Sequence, residues 1–565
     1  MTENNMKPTE VEIPEVKPSE TEIPEVELPE VKPSEVELSV VGTIGSETTK
    51  EESSELKVDE ILPQSDVSDN RLCKRIGIAI CIIQLALSAV FAYFLFKINL
   101  LPTLHFALIC GILLIICVTL FITQIFSLRK GIPGKILSIL ISLALLAGII
   151  YTYQLYTNLR DFTTVGAITN LDRMVVAVLD EHPAQSLEDV KDLSFGVQFA
   201  IGGDEVEATI ASINKTLETS IETREFVNMM AQIDALFGEY VEVIIYNEAF
   251  NGMLEEHREG GFLDYIRVIY VVDIETEVEL EEVLVELDED IFAGTDSYIV
   301  YISGLDMHGR ITTTGLSDVN VLAVVNPTTR QILLVNTPRD YYVILPGISG
   351  EQKDKLTHAG TYGVHVSVAT LSYLYQIEIA YYLRLNFTSF IQIVDAIGGV
   401  DVYSQYGFFA SENGMFIQQG MNQLNGLQAL AFARERMSIP GGDFQRGRNH
   451  QALITGILNR AMSPAVLIQA PDIISSVSES IDTNVPMEFI NQEIRNQLNG
   501  RGSWSIMSVD AEGRVDSLPC FSLHGLRASV VVPYEESVAE IREKMIAVIV
   551  GDLYGVGESL QMLGQ

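Results

Sequence analysis

Four arginines, Arg434, Arg436, Arg446 and Arg448, fall within fifteen residues of an otherwise acidic region. A guanidinium is a planar fork that engages two phosphate oxygens at once. Cations this crowded repel one another unless an anion compensates them, and salt bridges to Glu435 and Asp443 are the plainer alternative. A second group lies upstream. Asp306, Asp318 and Asp340 flank the strand-rich stretch 301–340, and Arg339 follows Pro338 at its exit. Carboxylates at the ends of apolar strands serve metal and phosphate sites, or else are solvated loop residues beside an edge hairpin. Paired Asp with an Arg cluster points to a divalent metal and a pyrophosphate. Mg2+ takes a few carboxylates together with phosphate oxygens and water. Metal and arginine together stabilise charge during phosphoryl transfer.

The elements that would carry these residues are legible. Val319–Asn326 and Gln331–Asn336, separated by Pro327-Thr328-Thr329-Arg330, read as a hairpin. After Lys353–Gly360 come an apolar helix at Val364–Tyr375, a strand at Ile379–Asn386 and a helix at Phe387–Ile397 stopped by Gly398-Gly399. Val400–Tyr403 starts another strand. Leu424–Phe432 is a turn opening a helix or strand that delivers Arg434-Glu435-Arg436. Pro440-Gly441-Gly442 then breaks the chain before a helix through about Met462. Strands near Trp504–Ser508 and Ala528–Val532 and an amphipathic helix at Glu535–Val550 complete one unit over 291–550, with a tail at 551–565.

The other segments differ sharply in composition. The net charge is −40, to which residues 1–70 contribute −14 and residues 71–159 contribute +7, leaving −33 on the remaining 406. Such a surface repels nucleic acid, so no nucleic-acid partner is expected. Residues 1–70, with VKPSE and EIPEV each repeated, read as a disordered acidic tail, or as a partner-binding strand within one. Charge-free apolar runs at about 76–96, 104–126 and 136–153 have the length of membrane spans. Basic residues Arg71, Lys74 and Arg75 before the first run, and Arg129, Lys130 and Lys135 between the second and third, predict a cytoplasmic N-terminus. Everything after about residue 154 is then extracellular, in a multi-pass protein of the cell membrane. Residues 160–290 alternate strands and helices and read as a small α/β unit with no catalytic constellation. No grouping of the five cysteines suggests zinc, and only Cys520 lies outside the apolar N-terminal region.

A set of motifs now stands together: GLD at 304–306, SDVNVLAVVNP at 317–327, TPRDYYV at 337–343, DKLTHAGTYG at 354–363, NFTSFIQIVDAIGGVDV at 386–402, LNGLQALAFARER at 424–436 and GDFQRGRN at 442–449. In this order they resemble the LytR–CpsA–Psr family. The three spans and the unit at 160–290 resemble its capsule-type members, which carry an accessory extracellular domain. The resemblance implies an α/β/α domain with a central mixed sheet. It also implies a phosphotransferase moving a glycopolymer, capsular polysaccharide or teichoic acid, from polyprenyl pyrophosphate to peptidoglycan. Capsule-assembly proteins would be further partners.

By the same resemblance Asp306 and Asp318 match carboxylates associated with Mg2+ (or Mn2+). Arg339, Arg434, Arg436 and Arg446 match arginines around the pyrophosphate, with Arg448 and His450 beside them. Arg339 and Arg436 would act in catalysis, and Asp443 would be the base for the acceptor hydroxyl. Val364–Tyr375 and Ile379–Phe390 are the expected walls of a polyprenyl pocket. Two departures stand out. The family usually has Arg two residues before the second metal Asp, where this chain reads Gly315-Leu316-Ser317-Asp318. A Gln commonly follows the Asn at 449, where this chain has His450. A missing cation at 316 implies a weakened enzyme, and the rival reading is a protein that binds lipid-linked polymer or scaffolds envelope assembly without turnover.

Overall fold

The computed structural model describes residues 65–98, 101, 103–126, 132–161, 168–257, 261–278, 291–305, 311, 314–411, 413–477, 480–500 and 502–552. The acidic tail up to residue 64, the connector 279–290, Asp306, Arg310 and residues 553–565 lie outside them. Helices α1 (Ser65–Ile98), α2 (Thr103–Phe126) and α3 (Ile132–Asp161) are each long and apolar enough to cross a membrane. They run a few residues past the expected spans because a helix continues after its apolar stretch ends. Some of their polar side chains turn inward, as a medium without water favours. Gln84, Gln124 and Ser138 are buried in the bundle, and Ser138 Oγ donates to Gln84 Oε1.

The next unit contains β1 (Ile168–Leu179), β2 (Ser194–Val197), α4 (Gly203–Leu217), β3 (Glu222–Glu225), α5 (Met229–Phe237), β4 (Val243–Asn247), α6 (Asn251–His257) and β5 (Ile266–Val278). Its sheet has the order β3-β2-β4-β1-β5. Strand β1 was not anticipated from the sequence. Its run Met174–Val178 is buried on both faces, Val175 and Ala177 to one side and Met174, Val176 and Val178 to the other. Burial on both faces erases the alternation that marks a half-exposed strand. One of these two cores also contains Cys520, Leu523, Ala528 and Val530 from near the C-terminus. The accessory unit therefore shares apolar packing with the larger unit.

The larger unit begins with β6 (Tyr298–Leu305), β7 (Ser317–Asn326), β8 (Gln331–Asn336), β9 (Tyr342–Ile344) and β10 (Lys353–Lys355), followed by α7 (Leu356–Ala359) and α8 (Val364–Tyr375). Then come β11 (Tyr381–Leu385), α9 (Phe387–Ala396), β12 (Val400–Ser404), β13 (Phe408–Phe409), β14 (Phe416–Ile417), β15 (Gly420–Leu424), α10 (Gly426–Arg434) and α11 (Gly442–Ala461). The chain continues through α12 (Pro464–Val477), β16 (Asp482–Thr483), α13 (Met487–Asn499), β17 (Ser505–Asp510), β18 (Gly513–Pro519), β19 (Arg527–Pro533) and α14 (Glu535–Val550).

A six-stranded mixed sheet, β16-β11-β6-β7-β8-β17, organises this unit. The β7–β8 hairpin sits at its centre, with Val321 opposite Asn336 and Asn326 opposite Gln331. Helices α8 and α14 cover one face, where Val364, Leu371, Val548 and Ile549 meet Leu322, Val324 and Val335. Helix α11 covers the other, where Ile454 and Leu458 meet Val321, Ala323 and Leu334. The result is the mixed-sheet α/β/α arrangement. Helices α12 and α13 rest against the ends of the apolar helices: Asn491 Nδ2 donates to the Ile98 carbonyl at 3.0 Å, Tyr151 bonds Asp472, and Ile98 packs on Met487.

Candidate functional site

The site is built on the ends of β6 and β7. A buried polar network locks these ends together. Tyr301 Oη donates to Asn320 Oδ1 at 2.6 Å, Ser317 Oγ donates to the same oxygen at 3.0 Å, and the Ser303 and Ser317 hydroxyls pair at 2.8 Å. Buried polar groups are costly unless paired, so these partners specify the strand geometry. Gly304 is required beside them. A Cβ there would lie 2.7 Å from Val319, and the β6–β7 register shifts between Gly304 and Leu305. Asp318 stands between Ser317 and Val319 and turns into a cavity. Motif SDVN therefore divides its labour: Ser317 and Asn320 hold the strand, and Asp318 faces the ligand space.

Arg339 meets Asp318 there. Its Nη1 donates to Asp318 Oδ1 at 2.6 Å, its Nη2 lies 3.3 Å from Glu256 Oε2, and its Nε lies 3.7 Å from Asp340 Oδ1. Its backbone is held by the DKLTHAGTYG motif, since the Thr357 amide donates to the Arg339 carbonyl at 2.8 Å. That motif is itself anchored by Asp354, whose Oδ1 pairs with His358 Nδ1 at 2.6 Å and whose Oδ2 accepts from the Ser522 amide at 2.8 Å. Burial raises the Asp354 pKa, but His358 and the Ser522 donors outweigh it and hold the carboxylate below its ordinary range. Lys355 is buried at 4% side-chain exposure and reaches Asp340 at 3.2 Å and Glu256 at 3.5 Å. Glu256 belongs to α6 of the accessory unit. Desolvation raises its pKa, yet Lys355, Arg339 and His358 pull it below the ordinary carboxylate range.

The other cations arrive from α10 and α11. Arg434 ends α10, with its guanidinium 4.3 Å from the centre of the Phe387 ring. Arg434, Arg436, Arg446 and His450 all line the same cavity as Asp318 and Arg339. His450 Nε2–H donates to the Ala433 carbonyl at 2.9 Å, tying α11 to the end of α10. Glu435 is buried and accepts from the amides of Ser411, Met437 and Ser438 at 2.6, 2.8 and 2.9 Å. Desolvation raises its pKa, but these donors prevail and bring it to about 2. Its carboxylate thus organises the loop between the two arginine pairs.

Two sequence expectations change here. Arg448 does not line the cavity: it is exposed and its Nε donates to Gln445 Oε1 at 3.0 Å. Helical phase explains this, because the cavity takes Arg446, His450, Leu453, Ile454 and Ile457, one stripe of α11, and position 448 lies off it. The two stretches expected as apolar walls lie on different sides of the sheet. Leu385, Phe387 and Phe390 line the cavity, whereas Val364–Tyr375 forms α8 and packs into the core on the opposite face of the sheet. Asp443 lies in the first turn of α11, and its side chain is outside the described residues, as is Asp306.

The cavity holds about 280 Å³ and is amphipathic. Arg339, Arg434, Arg436, Arg446, His450 and Asp318 line it together with Ile302, Leu305, Leu385, Phe390, Leu430 and Leu453. Along α11 the lining passes from Arg446 to Ile457, about 16 Å at helical rise. Such a space accommodates an amphiphile with an anionic head. A divalent cation fits it in one way. Among the described residues Asp318 is the one carboxylate lining the cavity, and no group of three His, Cys, Asp or Glu gathers as a metal cage. A single carboxylate suffices for Mg2+ that arrives with phosphate oxygens.

Glu256, Lys355, Phe387 and the Ser317–Asn320 network were not singled out from sequence. Phe387 and SDVN lay inside quoted motifs, but nothing in the composition of α6 marks Glu256.

Residues 271–537 match the model of the LytR_cpsA_psr family. The chain is 30% identical over 206 residues to the polyisoprenyl-teichoic acid–peptidoglycan teichoic acid transferase TagU of Oceanobacillus iheyensis, covering 35% of this chain and 63% of that one. It is 33% identical over 190 residues to TagU of Bacillus anthracis, covering 34% and 61%. The chain thus spans a little over six-tenths of the length of these curated relatives. The crystal structure of B. subtilis TagV aligns with a TM-score of 0.40 at 22% identity, over 46% of this chain and 98% of that one. Residues 271–537 of this chain are a LytR–CpsA–Psr family domain.

Proposed function

We propose that this protein is a membrane-anchored transferase that moves a glycopolymer from polyprenyl pyrophosphate to peptidoglycan, with the larger unit outside the cell. The polymer would be of the teichoic-acid or capsular type, and capsule-assembly proteins would be its neighbours. The observation that carries the reading is the amphipathic cavity, in which four arginines and Asp318 adjoin an apolar wall. The relatives' names, which specify a polyisoprenyl-linked teichoic acid and peptidoglycan, support the same substrate class. Contacts of α12 and α13 with the ends of α1 and α3 support a position for the domain beside the bilayer that would hold the prenyl chain.

In this reading Arg339, Arg434, Arg436 and Arg446 bind the two phosphates and oppose their charge. An acceptor hydroxyl on a peptidoglycan sugar attacks the glycan-linked phosphorus. The bond from that phosphorus to the bridging oxygen breaks, polyprenyl phosphate departs with the electron pair, and the hydroxyl proton passes to Asp443. Arg339 and Arg436 stabilise the charge that develops on the departing phosphate. Mg2+ or Mn2+, held by Asp318 and Asp306, would supply further charge neutralisation.

The test is transfer, or hydrolysis of a pyrophosphate lipid, by the full chain in detergent with added Mg2+. An Asp306→Ala, Asp318→Ala double variant is expected to lose activity. Activity equal to the unaltered protein would sink the reading.

A further inference from the structure

Leu316 stands where the family usually places arginine, and the structure shows what it touches. Gly252, in α6 of the accessory unit, lies so close that a Cβ there would be 2.6 Å from Leu316 Cδ1. Four residues on, along the same face of α6, Glu256 reaches the Arg339 guanidinium at 3.3 Å and the Lys355 ammonium at 3.5 Å. Two residues on from Leu316, Asp318 holds the other arm of that guanidinium at 2.6 Å. One face of α6 thus meets Leu316 directly and Asp318 through Arg339. A third contact fixes the same segment: Thr314 Oγ1 donates at 3.3 Å to Asp172 of β1, which also accepts from Asn247 Nδ2 at 2.8 Å. The shared core with Cys520, Leu523, Ala528 and Val530 holds the accessory sheet in place behind these contacts.

We infer that the accessory unit is a working part of the site, in which Leu316 seats α6 against Gly252 and Glu256 acts as a positioning residue for Arg339. This rests on the pyrophosphate reading of the cavity. Arg339 lines the cavity, whereas Glu256 and Lys355 do not; they stand behind the guanidinium. Asp318 and Glu256 grip Nη1 and Nη2 from two directions, which defines the plane of the fork. A planar fork recognises phosphate only when its plane is set. Leu316 then has a packing role of its own, and its presence is matched by a glycine on the partner helix.

Calorimetric binding of farnesyl pyrophosphate to the full chain in detergent, with thermal melts as control, tests this. Arg339→Ala provides the reference for a lost phosphate ligand. Glu256→Gln, which keeps shape and removes charge, is expected to weaken binding about fivefold, the upper range for a half-exposed ion pair. Its melting temperature should stay near that of the unaltered protein, and Glu256→Asp should recover most of the affinity. Gly252→Val, which wedges α6 from Leu316 while keeping Glu256, should weaken binding to a similar extent.

Glu256→Gln binding as tightly as the unaltered protein, while Arg339→Ala is weakened, overturns the inference and leaves the pyrophosphate reading intact. Tighter binding by Glu256→Gln also overturns it, because Glu256 would then be a competing anion. Lowered melting in Glu256→Gln with no recovery in Glu256→Asp reduces Glu256 to a structural contact and overturns its positioning role. Unchanged binding in Gly252→Val overturns the seating role of Leu316. Binding by Arg339→Ala equal to the unaltered protein overturns the pyrophosphate reading, and this inference with it.

Discussion

Arg339 Nη1 donates to Asp318 Oδ1 at 2.6 Å, the shortest of the ion pairs that surround this guanidinium. The two residues are separated by the whole central hairpin. Their pairing therefore depends on the antiparallel register that sets Val321 opposite Asn336. Removing Arg339 should cost charge-assisted hydrogen bonds to phosphate worth ~1.5–3 kcal/mol. Arg339→Ala is expected to lower transfer about 10- to 150-fold at saturating acceptor, measured as kcat/KM for the lipid substrate.

Phe387 supports Arg434 from beneath at 4.3 Å and also lines the apolar part of the cavity. Phe387→Ala removes a cation–π contact of ~0.5–2 kcal/mol and part of the wall. Affinity for a polyprenyl phosphate should fall further than affinity for inorganic pyrophosphate, since only the lipid uses both features. Equal losses for the two probes in a calorimetric titration would refute this division.

Leu316→Arg introduces the arginine that the resemblance led us to expect at this position. With Gly252 so close, the longer side chain is overpacked, and a stability loss of ~1–3 kcal/mol is expected. A thermal melt checks this. Activity should fall or stay level; a large gain in rate would return Leu316 to the role of a missing cation.

The buried carboxylate of Glu435 has its pKa held at about 2 by three backbone amides and the Ser411 hydroxyl. Its folded pKa lies below the unfolded value near 4.3. The group therefore contributes stability above about pH 4.3, and that contribution is lost as pH falls toward about 2. Denaturant unfolding across this window should show acid destabilisation that is reduced in Glu435→Gln. At neutral pH the same variant should be less stable by ~1–3 kcal/mol, because an amide satisfies fewer of the donors.

The sequence alone determined the local elements. The hairpin, α8 at Val364–Tyr375 and α14 at Glu535–Val550 were readable because apolar period, turn residues and caps act over a few neighbours. The three apolar spans were readable for the same reason. The arginines near 434–448 could be found as a cluster, because charge type is written in the chain itself.

Tertiary structure decided which of those residues share a space. It placed α8 behind the sheet, away from the cavity, and the phase of α11 turned Arg446 inward and Arg448 outward. Above all, it brought Glu256 and Gly252 to Arg339 and Leu316. That meeting arises from packing between two sheets and a shared apolar core, and packing over such separations leaves no local pattern in a sequence.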